Sequence, residues 1–216
     1  MNTKQHILLS IDIGVKNLGW TIFSSDTPFR NGLQRPHQSM GIAFGIYNIT
    51  NNTSNLDSVV SDRCVAVAKF FKRIIDSFVL DICIVERQVP TNTKAMELMY
   101  SITSIALCYL SDPSDLIIFD PKLKFQWLGL SYNTANKAHK VQSIEMCRAL
   151  LIELTTASQH SCEVPNDKQV TEFDKHPKRD DIADSFNQGL DYLAKQGLID
   201  IGLKNIRQMI ASHHIN

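Results

Sequence analysis

From residue 7 the chain reads Ile7-Leu-Leu-Ser-Ile-Asp-Ile13 and then meets Gly14. An apolar, partly β-branched run ended by a turn signal predicts a buried strand. Residues 20–23 predict a second strand. The polar stretch 24–39, with its prolines, glycine and arginines, predicts a long loop, and residues 41–47 resume as a third strand. Three strands with no helix between them predict an antiparallel meander.

At residue 58 the period changes. Val60, Cys64, Val67, Phe71, Ile74 and Phe78 recur at steps of three and four, the signature of an amphipathic helix behind a cap at Asp57 or Ser58. Residues 80–86 form a short apolar run that ends on Glu86, and Pro90 stops it. Residues 93–110 are helical in pattern yet apolar on nearly every side, so they predict a helix covered by its own sheet and by something else. Residues 116–119 give a fifth strand, closed by Asp120-Pro121, and Lys140 opens a helix through Leu154 with a stripe of Ile144, Cys147, Leu151 and Leu154. Residues 155–178 are polar and without period, which predicts an exposed loop, and a last helix runs from about residue 180 to Lys195. The whole reads as an α/β domain: a mixed five-stranded sheet, three antiparallel strands followed by two parallel to the first, with helices on both faces. One domain over 1–195 is expected, with a helical C-terminal tail over 196–216.

Composition narrows the partners. The 216 residues are 44% hydrophobic, enough for one sizeable core, and 22 basic residues balance 22 acidic ones, so any site for a polyanion has to be local. Such a patch lies between Pro121 and Arg148, where Lys122, Lys124, Lys137, His139, Lys140 and Arg148 face the single acid Glu145. Trp127 and Tyr132 are interleaved there, able to stack on bases or to pack the core. Five cysteines without a Cys-x-x-Cys pair suggest neither a disulfide framework nor a zinc site. No apolar run approaches membrane-spanning length and no signal-type segment opens the chain, which predicts a soluble intracellular protein. Overlapping sequons at Asn48, Asn51 and Asn52 read as a polar turn. No Gly-x-x-x-x-Gly-Lys-Ser/Thr phosphate loop is present, so no nucleotide cofactor is expected.

The chemistry lies in the acids. Asp12 closes a buried strand, where an ionised group is costly unless it is hydrogen-bonded, paired or bound to metal. Alone it reads equally well as the cap of the turn at residues 14–17. Glu86 ends a second strand. Asp181 and Asp184 stand at i, i+3 near the positive end of the last helix, where Asp180 or Asp181 also reads as an N-cap. Taken together these are four carboxylates that one sheet and one helix can bring together, and divalent cations relieve their repulsion. Magnesium suits an all-oxygen site. Two such ions about 4 Å apart clamp the attacking water and the leaving oxygen of a phosphodiester.

Ser10-Ile-Asp-Ile-Gly-x-Lys-Asn17, Val85-Glu-Arg-Gln88 and Lys178-Arg-Asp-Asp-Ile-Ala-Asp-Ser-Phe186 resemble the motifs of the RuvC-like Holliday junction resolvases, most nearly their poxvirus branch. The resemblance spans residues 7 to 190. It implies a ribonuclease-H-like fold and a homodimer that nicks four-way DNA junctions symmetrically, a crossover junction endodeoxyribonuclease. It also implies Mg2+, two ions per site with Mn2+ as substitute, and metal ligands Asp12, Glu86, Asp181 and Asp184, with Asp180 as a neighbour. The catalytic lysine matches Lys140 best and Lys137 next. Lys122, Lys124, Lys137, Lys140 and Arg148 become DNA contacts. In a poxviral setting the implied role is resolution of genome concatemers in the host cytoplasm. The long loops and the tail depart from the family pattern. Two other readings are a catalytically silent junction-binding protein and an actin-like ATPase, which shares the Asp-x-Gly strand but would need a second Gly-rich phosphate loop. Dimerisation is expected through the apolar helix, by Met96, Met99, Ile102 or Tyr109 on its outer face.

Overall fold

The computed structural model describes residues 4–29, 40–49, 60–125, 138–158 and 167–199. The elements are β1 (Gln5–Ile13), β2 (Asn17–Ser25), β3 (Gly41–Asn48), α1 (Val60–Ile75), β4 (Phe78–Glu86), α2 (Thr93–Leu107), β5 (Leu116–Phe119), α3 (Ala138–Ser158), α4 (Asp167–Lys175) and α5 (Arg179–Lys195). The sheet order is β3-β2-β1-β4-β5, with β1, β2 and β3 antiparallel and β4 and β5 parallel to β1. This is the mixed five-stranded sheet that the pattern predicts.

Side-chain alternation divides the core between the two faces of the sheet. Ile7, Leu9 and Ile11 of β1, with Cys83 and Val85 of β4, pack against α1 and α2. Leu8 of β1 and Ile82 and Ile84 of β4 face α3, α4 and α5. A one-residue bulge helps set this register: Ile7 pairs with Leu80 but Leu8 with Ile82, leaving Asp81 over. The Asp81 carboxylate contacts His6 Nδ1 at 2.9 Å and accepts from the Phe29 backbone N–H at 2.9 Å. That satisfies a nearly buried acid and ties β4 to the start of β1.

Helix α5 crosses the central strands closely. Gly19 of β2 stands opposite Asp12 in the β1–β2 pair, and a Cβ there would overlap the backbone carbonyl of Asp181. Thr21 and Ser185 share a buried hydroxyl–hydroxyl hydrogen bond of 2.9 Å just beyond. Gly189 makes the matching close approach to Phe23 and Ser10. The absence of side chains at these two positions lets the helix N-terminus reach the C-terminal end of β1.

Three expectations need correction. The exposed loop predicted over 155–178 contains helix: α3 continues to Ser158, and α4 occupies Asp167–Lys175. Its two core anchors, Val170 and the fully buried Phe173, are too few in nine residues to raise a periodic signal. Met99 and Ile102 do not lie on an outer face of α2, since Ile102 is fully buried and Met99 nearly so against the sheet. The exposed apolar side chains here are Tyr100, Leu107 and Tyr109. Finally, Asp180 and Asp181 do not cap α5, because Lys178 occupies the N-cap position with no side-chain cap bond and both aspartates lie in the first turn. Residues 1–3, 30–39, 50–59, 126–137, 159–166 and 200–216 fall outside the described residues. With them go most of the first loop, Asn51, Asn52, Asp57, Ser58, Trp127, Tyr132, Lys137 and nearly all of the tail. No described helix is long and apolar enough to cross a membrane.

Substituting Gly19 by Ala should push α5 away from β2 and lower stability by about 1–3 kcal/mol, the usual cost of overpacking. A urea midpoint unchanged from wild type would refute this close-approach account.

Candidate active site

The register of β1 on β4 assembles the first part of the site. The last paired residues are Ile11 and Val85, so Asp12 and Glu86 come next along their strands, side by side and on the α5 face. The turn after Asp12 closes through its own backbone, Gly14 N–H to Asn17 C=O at 2.9 Å, and Asp12 instead shares a side-chain hydrogen bond with Glu86. The turn-cap reading of Asp12 therefore gives way to the cluster reading.

From above, α5 contributes Asp184, and Lys124, which follows β5, reaches in from the side. Lys124 is 1% exposed, with its ammonium 3.2 Å from Glu86 Oε2 and 3.0 Å from Asp184 Oδ1. A buried lysine is costly unless it is paired and hydrogen-bonded, and here it has two carboxylate partners. Asp12 feels the strain of the cluster most. Burial pushes its carboxyl well above the usual carboxylate range, the charges of Glu86 and Asp184 push it further, and Lys124 opposes them.

Asp181 lies nearer the helix start. Burial and the neighbouring Asp180 raise it, against the pull of Lys178 and Lys140. Asp180 is held by Lys140, Nζ to Oδ2 at 2.6 Å. Burial works to raise Asp180, but the Lys140 hydrogen bond and charge outweigh it and leave it below the ordinary value. The hydrogen bond to Asp180 in turn raises Lys140.

The sequence-predicted residues thus divide. Asp12, Glu86 and Asp184 meet, and Asp181 stands one turn away on the same helix. Lys140 is half exposed and paired with Asp180 at the rim. Lys124, expected as a surface contact to DNA, is instead enclosed by the carboxylates. Its sequence signal was only its place after a strand that ends beside Glu86. Arg148 is engaged by Asp174 at 3.0 Å, while Lys122 is exposed. Among the described residues the basic stretch is therefore not one continuous open patch.

Hard, all-oxygen donors suit a divalent cation, and the raised Asp12 reports carboxylates crowded enough to gain from one. Among the described residues no three His, Cys, Asp or Glu side chains converge as a coordination shell, and the Lys124 ammonium lies between Glu86 and Asp184.

A family model described as Poxvirus A22 protein matches residues 6–196. Among solved structures, the fowlpox virus resolvase complexed with substrate Holliday junction DNA aligns with a TM-score of 0.56 at 22% identity, over 88% of this chain and 97% of that one. The yeast mitochondrial Holliday junction resolvase aligns with a TM-score of 0.58 at 15% identity, over 95% and 85%. Thermus thermophilus RuvC gives 0.52 at 13% identity, over 88% and 96%. No curated protein matches the sequence. At these identities the likeness to solved structures establishes the fold, which is the ribonuclease-H-like fold of the RuvC-type resolvases.

The raised Asp12 has a consequence for pH. Without divalent cations the folded chain keeps the Asp12 proton at pH values where the unfolded chain has lost it. Stability from this group is then full below the ordinary aspartate value of 3.8 and falls as pH rises through the raised folded value. Thermal unfolding in EDTA should show this loss, and Asp12→Asn should remove it. A variant with the wild-type pH dependence would refute the assignment of that slope to Asp12.

Proposed function

Because the chain belongs to the Poxvirus A22 protein family, we propose that it is a metal-dependent endonuclease that resolves four-way DNA junctions by paired nicks, serving viral replication or recombination intermediates such as genome concatemers. The observation that carries this reading is the adjacency of Asp12, Glu86 and Asp184 around the buried Lys124. In this reading Asp12, Glu86, Asp181 and Asp184 hold two magnesium ions, with manganese able to substitute. When bound, such ions supply an activated water and neutralise charge on the scissile phosphate.

The chain's own residues do the rest. The carboxylates would hold the ions at the end of the sheet, where a phosphodiester can then approach without facing their uncompensated charge. With the charge of Glu86 and Asp184 taken up by bound ions, Lys124 would be free to donate to a non-bridging phosphate oxygen, where a cation in a water-poor site is most effective. Geometry favours Lys124 over Lys140 for that role, since Lys140 is half exposed and held by Asp180. Lys140 and Lys122, with Lys137 in the segment before α3, contact the DNA backbone. The products are 5′-phosphate and 3′-hydroxyl ends. A synthetic four-way junction, assayed with and without magnesium, tests the whole reading.

Asp184→Asn should abolish cleavage and leave junction binding intact, whereas Lys124→Met should slow cleavage of bound junction on the order of 10²-fold or more. Lys140→Ala should instead weaken binding and reduce its log–log salt slope by about 1. Single-turnover rates at saturating enzyme separate the two lysines, and a Lys124→Met enzyme cleaving at the wild-type rate would return the catalytic role to Lys140.

Paired nicks require two sites, and we place the dimer surface on the exposed apolar side chains at the end of α2. Tyr100, Leu107 and Tyr109 are 59%, 43% and 43% exposed, and one face of Tyr109 is already stacked on Phe71. An isologous contact would cover them. Leu107→Glu should give a folded monomer by sedimentation that nicks junctions singly. A wild-type chain sedimenting as a monomer at micromolar concentration without DNA would refute constitutive dimerisation.

A further inference from the structure

Asp184 is engaged by more than Lys124. Ser143 on α3, fully buried, donates its hydroxyl to Asp184 Oδ1 at 2.7 Å. Asn187 on α5, 2% exposed and one turn beyond Asp184, places its amide nitrogen 3.0 Å from Ser143 Oγ and 2.9 Å from the Ser143 backbone carbonyl. The polarity of this chain is fixed by chemistry. The Ser143 carbonyl only accepts, so the NH2 end of the Asn187 amide must face residue 143. The hydroxyl then accepts from Asn187, and its single proton is directed to Asp184. Oδ1 of Asp184 consequently receives two donors, Ser143 Oγ and Lys124 Nζ, while among the described residues no donor meets Oδ2.

We propose that Ser143 and Asn187 form a positioning pair that fixes the rotamer of Asp184 and reserves its Oδ2 for the divalent cation. This rests on the reading of Asp184 as a metal ligand and deepens it. Nothing in the residue pattern marks the pair, because Ser143 lies on a helix whose apolar residues set its period and Asn187 follows the acidic motif without belonging to it. Outer partners of this kind matter because a ligand held in its productive rotamer binds without first losing side-chain freedom, and their removal typically costs about 10–100-fold in metal affinity.

The geometry also supplies a clean test. Ser143→Ala deletes the hydroxyl but keeps the backbone carbonyl, so the Asn187 amide retains one of its two acceptors and stays anchored, with one N–H left without a partner. Mn2+ binding to the protein, followed by the EPR signal of the free ion at a temperature where the variant in EDTA is still folded, should weaken about 10–100-fold in Ser143→Ala. Ser143→Thr, which retains the hydroxyl, should stay near wild type. Asn187→Leu, which lets the Ser143 hydroxyl rotate away from Asp184, should also weaken binding. Ser143→Ala binding Mn2+ within about two-fold of wild type, while Asp184→Asn loses it, would overturn the proposal and leave the ligand assignment standing. Asp184→Asn binding Mn2+ like wild type would instead overturn the ligand assignment on which the proposal rests. A loss in Ser143→Ala but none in Asn187→Leu would remove Asn187 from the pair.

Discussion

Like charges confined away from water are the constraint on which this structure turns. Asp12, Glu86 and Asp184 meet in a partly buried site with little water between them, and the consequence is visible in the carboxyl of Asp12, raised by burial and by the other two. Lys124 answers part of that charge from a position more deeply buried than theirs. A pairing of this kind is a poor source of stability, because desolvating several ions costs about as much as their attraction returns. It persists because the apolar clusters on both faces of the sheet supply the stability that the site does not.

The surrounding fold can be read as the means of making that confinement possible. Parallel pairing of β1 with β4 puts two acids side by side at the same end and on the same face of the sheet. Gly19, directly across from Asp12, and Gly189 on α5 remove the side chains that would hold the helix off. The Thr21–Ser185 bond and the Gln188 amide, which donates to Ser10 Oγ at 3.0 Å and to the Ile11 carbonyl at 3.1 Å, then lock the helix over the two strands. A polar row along the underside of α5 thus does at the site end what apolar packing does elsewhere along the helix.

Much of this was legible in the sequence, and the physical reason is that period and punctuation carry long range in this chain. Every strand and the two helices of the first face are announced by apolar runs, by changes of period, or by proline and glycine at their ends. The four acids stand out by position: Asp12 closes a buried strand, where a carboxylate is costly, Glu86 ends a second strand, and Asp181 and Asp184 share a helix face at i, i+3. What escaped the sequence depends on distance rather than pattern. Lys124 looks like any lysine in a basic stretch until β5 delivers it beside Glu86. Met99 and Ile102 look like surface because their helix is apolar all round, yet the sheet takes that side and leaves Tyr100, Leu107 and Tyr109 outside. Helix α4 has too few core contacts to be announced at all.

The distribution of cations follows from the same electrostatics. A chain with equal numbers of acidic and basic residues has no general field with which to draw in a polyanion, so attraction has to come from charges released locally. At the rim, Lys140 is held by Asp180 and Arg148 by Asp174, both on or near the elements that build the site. Exposed pairs such as these are worth little and are weakened by salt, so an approaching phosphate competes for the lysine or arginine on nearly equal terms. The buried pairs of Lys124 are a different case, since no phosphate reaches that ammonium until the carboxylates around it gain another counter-charge. Binding at the rim and chemistry at the centre are therefore separable in principle: the rim exchanges one weak partner for another, while the centre changes only when its charge does.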